Sequence, residues 1–165
     1  KGDAMFNSPE TLISLAEVAI AIAGFASIVL VVKSTSSQKW LKQDTDFFTG
    51  MALHAMFAVF FCFLPALVNI FVQLPVSTLR ITCAILGTQL VLHGGLVLFL
   101  PSTKRLLKIF PIVGCLFGAL QFFSFTDWGS QREIELYIAG IIFHVLQAGA
   151  LFLLMTLPSR ETTGD

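Results

Sequence analysis

Five stretches of this chain are each long and apolar enough to cross a lipid bilayer, and they leave almost no sequence over. A spanning helix needs about 20 mostly apolar residues, and the runs 12–32, 47–72, 81–100, 106–125 and 134–157 qualify. None of them alternates in the manner of a transmembrane barrel strand. Hydrocarbon offers the backbone no hydrogen-bond partner, so each run must satisfy itself as a helix. The expected fold is all-α: one integral membrane domain over residues 1–165, a polytopic bundle of five transmembrane helices, with four as the alternative count.

Composition supports this class. Hydrophobic residues make up 56% and charged residues 12%, against about 25% charge in a soluble domain, and the mean hydropathy is +0.86. At 165 residues no separate soluble domain fits beside the spans. The formal net charge is zero, which argues against nucleic acid as a partner. The first apolar run exceeds a signal-peptide core and lacks a basic lead-in, so it reads as a span, with Met5 as a native start. Cys62, Cys83 and Cys115 are odd in number, lie on three spans and form no CxxC pair. They read as buried free thiols.

Loop charges set an orientation. Lys33, Lys39, Lys42, Lys104, Arg105, Lys108 and Arg160 fall on one side, and Arg80 and Arg132 on the other. The positive-inside rule puts the first group in the cytoplasm, with the N-terminus outside and the C-terminus inside. Trp40 on the inner side, and Trp128 and Tyr137 on the outer side, read as interfacial belt residues. Asp44 or Asp46 would cap the second helix.

Several small residues sit at helix-packing intervals. Ala19, Ala23 and Ser27 recur every fourth residue in the first span beside Gly24, and Gly114 and Gly118 form a GxxxG pair in the fourth. Such stripes let helix backbones approach closely, either inside a bundle or between chains. They point to a homo-oligomer or a larger membrane complex. Pro65 interrupts the second span and frees the carbonyl of Phe61, which implies a kink or a carbonyl lining a cavity.

The ionisable groups inside the spans are few: Glu17, His54, His93 and His144. Such groups are expensive in a bilayer and normally face a bundle interior or water. At about 1.5 Å per residue, Glu17 falls in the outer third, His144 near the middle, and His54 and His93 in the inner third. Gln89 shares a helix face with His93, and Gln147 with His144, so amide–imidazole bonds would orient those rings. Asn69, Gln73 and Gln121 lie towards outer ends, where water would hydrate them. His54 and His93 at one depth would suit a haem, a pigment or a shared metal, or a plain hydrogen-bonded pair. No haem-attachment CxxCH, HExxH or P-loop is present, and no lysine lies at a span centre for a Schiff base. No catalytic residue is predicted, and no cofactor is required.

The segment LAEVAIAIAGF at 15–25, followed by a charged loop and FFCFLPALV at 60–68, resembles small uncharacterised bacterial membrane proteins with an Ala-rich first helix. The likeness covers about a third of the chain. It implies a bacterial inner membrane location, supplies no activity, and singles out Glu17 and Gly24. Three functions remain open at this level. The first is an oligomerising or accessory subunit of a membrane complex. The second is a small proton, ion or solute channel or transporter using Glu17 and the histidines. The third is a haem- or pigment-binding subunit through His54 and His93.

Overall fold

The computed structural model describes residues 8–35, 42–73, 75–99, 108–126 and 129–156. They form an all-α bundle of five helices: α1 (Ser8–Thr35), α2 (Lys42–Val72), α3 (Pro75–Phe99), α4 (Ile109–Gln121) and α5 (Glu133–Thr156). Short 3-10 turns at Phe122–Phe125 and Gly129–Gln131 link α4 to α5. Trp40 and Trp128 lie outside the described residues.

Among the described residues, four helices are long and apolar enough to cross a membrane: Pro9–Lys33, Asp44–Val72, Thr78–Phe99 and Glu133–Thr156. This is the character of an integral membrane protein. The run read as a fourth span, 106–125, is a composite. α4 has 13 residues, roughly 20 Å of helix, and the following four-residue 3-10 turn adds about 8 Å.

The bundle is tied at both ends by polar contacts. At one end, Lys33 Nζ donates to the Met155 carbonyl at 2.6 Å and to Asp44 Oδ1 at 3.3 Å, joining α1, α2 and α5. Asp44 lies in the first turn of α2 rather than at its cap, because the helix already begins at Lys42. At the other end, Arg80 Nε donates to Glu133 Oε1 at 2.8 Å, joining α3 to α5. α2 stops one residue before Gln73, whose φ of 53° is the left-handed turn that closes a helix.

α1 packs against α2 and α5, and α4 packs against α3 and α5. The α3–α4 contact is a backbone contact. A Cβ at Gly87 would lie 2.8 Å from the Gly118 carbonyl, and one at Gly118 would lie 2.8 Å from the Gly87 carbonyl. Lipid supplies no hydrophobic push between helices, so such close approach is what holds them. The GxxxG pair is thus used inside the chain: Gly118 meets α3, and Gly114 meets the Phe143 ring of α5.

Pro65 does not break α2, which runs on to Val72. The carbonyl it frees, that of Phe61, accepts a hydrogen bond from the Tyr137 hydroxyl at 2.5 Å. Tyr137 is therefore not an interfacial belt residue. It is fully buried, with its ring in the core and its hydroxyl on the one α2 carbonyl that proline leaves open. Gln121 is likewise buried rather than hydrated, donating through Nε2 to the Leu136 carbonyl at 2.7 Å.

Replacing Tyr137 by Phe should cost about 1–3 kcal/mol, the penalty for a buried carbonyl without a partner. In a Pro65→Ala background the residue-65 N–H serves that carbonyl, and the cost should fall towards zero. Equilibrium unfolding of the four variants in detergent measures both; equal costs in the two backgrounds would contradict the pairing.

Candidate functional site

The interior polar site is a cluster of three histidines from α2, α3 and α5. His54 and His93 are in edge contact, with ring centroids 5.1 Å apart and planes at 90°. His54 and His144 centroids are 5.3 Å apart, and their Nδ1 atoms approach to 3.1 Å. His144 Nε2 lies 3.0 Å from Gln89 Oε1. Phe61 stacks on His144 with planes 9° apart, and Phe57 contacts both His93 and His144.

All three rings therefore stand at one level, whereas helix counting had set His144 nearer the middle. The Lys33 anchor explains the difference. It bonds both Asp44 and Met155, so these two residues share a height. His54 is ten residues from Asp44 and His144 eleven from Met155. Loop positions were a poor ruler because α2, at 31 residues, is longer than a bilayer requires.

The hydrogen-bond chain has a definite proton inventory. An amide oxygen only accepts, so His144 Nε2 carries a proton and donates to Gln89 Oε1. A neutral His144 then accepts at Nδ1, and His54 donates from its own Nδ1. Turning the Gln89 amide over reverses every bond in the chain, so the arrangement has two senses of equal connectivity. In the sense described, Gln89 Nε2 is buried and has no partner. The amide orienting His144 comes from Gln89 across the bundle, rather than from Gln147, which is buried on α5 nearer the Lys33 end.

The cluster lies between two apolar cores. Phe61, Leu64, Leu86, Tyr137 and Ile141 fill the side towards Arg80, and Phe47, Met51, Ala148 and Met155 the side towards Lys33. An ion entering from either end would have to cross packed hydrocarbon. A planar macrocycle placed between His54 and His93 would have to part rings already in contact. Among the described residues, no group of three or more His, Cys, Asp or Glu side chains is arranged to hold a metal ion.

Glu17 stands apart from the histidines. It lies on the face of α1 turned away from the bundle and is exposed. The small residues of α1 divide between two opposite faces. Leu12, Ala16, Ala19 and Ala26 are buried, with Ala23 half-buried among them. Ser14, Glu17, Ala21, Gly24, Ile28 and Val31 are exposed at alternating intervals of three and four residues. A Cβ at Gly24 would meet nothing within 4 Å. Ser27 is exposed too, its hydroxyl donating to the Ala23 carbonyl at 2.9 Å. The every-fourth-residue stripe from Ala19 to Ser27 is therefore not one surface, because spacing of four drifts about 40° per step around a 3.6-residue helix.

The cysteines are free thiols: Cys62 and Cys83 are buried and Cys115 is half-buried. Cys83 Sγ donates to the Glu133 carbonyl at 3.5 Å. No family model matches the chain, and no curated protein or solved structure does either.

Nitrogen-15 NMR of the imidazoles should find His144 as the Nε2–H tautomer and His54 as the Nδ1–H tautomer, or both inverted together. Replacing Gln89 by Leu should remove this preference at His144. Two Nε2–H rings with free-imidazole shifts would contradict the described chain.

Proposed function

We propose that this chain is a subunit of a membrane complex, a homo-oligomer or an accessory subunit, docked through the outer face of α1. The observation that carries this reading is the position of Glu17. It sits about 12 Å inside the Pro9–Lys33 span by helical rise, on a face the bundle leaves uncovered. An ionisable side chain at such depth normally faces a protein interior, because facing lipid costs several kcal/mol. A neighbouring helix over Ser14, Glu17, Ala21 and Gly24 would make that face an interior. Residues of this size allow close backbone approach, and Ser14 supplies a hydroxyl beside the carboxyl group.

The channel reading is less well supported within one chain. Glu17 and the histidines lie on different sides of the α1–α2–α5 contact, and packed apolar cores flank the histidines. The resemblance of the first helix to bacterial membrane proteins supports a bacterial inner membrane. The loop charges favour an external N-terminus and a cytoplasmic C-terminus.

Gly24→Leu and Gly118→Leu separate assembly from folding. Gly24→Leu should leave the thermal midpoint within a few degrees and abolish the assembled species on native gels of mildly solubilised membranes. Gly118→Leu should lower the midpoint sharply, since a Cβ there meets the Gly87 carbonyl at 2.8 Å. A wild-type chain that runs as an 18.0 kDa monomer at every concentration would count against the proposal.

A further inference from the structure

α1 is the least covered of the four long spans: 17% of the residues in its apolar stretch are buried, against 28%, 33% and 50% in α2, α3 and α5. Its uncovered side is not uniform. At about 100° of rotation per residue, Ser14, Glu17, Ala21, Gly24 and Ile28 fall within roughly 80° of arc. All five are exposed, and the strip lies nearly opposite Ala16, Ala19 and Ala26, which face the bundle. Large exposed side chains wall it, with Ile13 and Ile20 along one edge and Val18 and Phe25 along the other. The strip's members recur at intervals of three, four, three and four residues. That is a mean of about 3.5, the register of a helix wound around another in a left-handed supercoil, rather than the 3.6 of a straight helix. A surface bathed in lipid has no reason to keep such a register, nor to set an ionisable group in the middle of it.

We infer that the helix on this seam is α1 of a second copy of this chain, parallel to the first across a two-fold axis along the membrane normal. This rests on the reading that the outer face of α1 docks protein, and it names the partner. Copies inserted with one topology run their α1 helices parallel, so Ser14 and Glu17 reach matching depths in both. In a parallel seam, a side chain packs against the same position of the facing helix and against its neighbour three residues on. Each Ser14 hydroxyl therefore meets Glu17 of the second copy and donates to its carboxyl oxygen, and the two-fold axis repeats the bond. One patch is both donor and acceptor, the self-complementarity that an isologous contact requires. A helix from another protein would need a donor of its own at this depth, about 12 Å inside the span. A second copy brings one by symmetry. Ala21 and Gly24 form the next layers, and a Cβ at Gly24 meets nothing within 4 Å in the single chain, so the backbones can close there.

The test is oxidative crosslinking of the full chain in native membranes, with Cys115→Ser as background and Cys62 and Cys83 left in place because they are buried. Ala21→Cys and Ile28→Cys lie on the seam, and Ile20→Cys lies on its wall. The two seam variants should form a disulfide-linked species of twice the 18.0 kDa chain mass, and Ile20→Cys should not. Adding Ser14→Ala to Ala21→Cys removes both reciprocal bonds. In detergent, the protein-to-detergent ratio needed for half-maximal crosslinking should then rise about tenfold. Crosslinking of Ile20→Cys as efficient as that of Ala21→Cys, or a ratio unmoved by Ser14→Ala, would overturn the inference. Benzophenone maleimide on the same seam cysteines separates it from the docking reading. Photocrosslinks to a different protein, with no disulfide dimer, would overturn the second copy and leave α1 docking intact. Adducts to lipid alone would overturn both.

Discussion

Pro65 leaves one α2 carbonyl open at a depth where no water can reach it, and Tyr137 closes it from α5. That bond shows the constraint governing the whole bundle. Inside hydrocarbon each polar atom must find its partner in protein. The same demand places Lys33 on the Met155 carbonyl, Gln121 on the Leu136 carbonyl, and His144 between Gln89 and His54. All four of these contacts have one partner on α5, and through them α5 is joined to each of the other four helices. α5 is therefore the polar spine of the bundle, while apolar and glycine contacts fill the space between its bonds.

Among the described residues, a few polar groups do not obey the constraint within the chain. Glu17 faces outward from α1, and Gln89 Nε2, Gln121 Oε1 and Ser124 Oγ are buried without a hydrogen-bond partner. Of these groups only Glu17 is ionisable, and an ionisable side chain left outward at this depth marks a place where a partner belongs. Their surroundings differ in kind. Glu17 is flanked by Ser14, Ala21 and Gly24, a surface that fits a helix. Gln89, Gln121 and Ser124 lie within the bundle among its own side chains. A partner helix is the proposed answer for Glu17.

Much of this was legible from residue order. Span lengths gave the helical bundle, since about 20 apolar residues in a row have few other uses. The open Phe61 carbonyl followed from Pro65 alone, although its partner on α5 lies 76 residues away and no local pattern links the two. His54 and His93 were expected to meet, and they do. His144 joins them only because the Lys33 anchor sets the relative heights of α2 and α5, a tertiary fact with no signature in spacing. The two faces of α1 were hidden because alanine and glycine are small on every side, so composition marks a thin helix without showing which edge is free. A spacing of alternating three and four residues separates them, once Ala16, Ala19 and Ala26 are known to point inward.

If α1 docks as proposed, its outer face meets protein rather than lipid. Spin labels at Ile28, a side chain already large on that face and 60% exposed in the isolated chain, and, as a lipid-facing control, at Leu146, which is 65% exposed on α5, distinguish the two. Cys115 would be replaced by Ser in both, and power saturation with oxygen would be recorded in native membranes. Oxygen concentrates in hydrocarbon, so a lipid-facing label relaxes strongly. Low oxygen accessibility is expected at residue 28 and high accessibility at residue 146. Equal, high accessibility at both positions would mean that Glu17 faces lipid in the living membrane, and the docking account would be wrong.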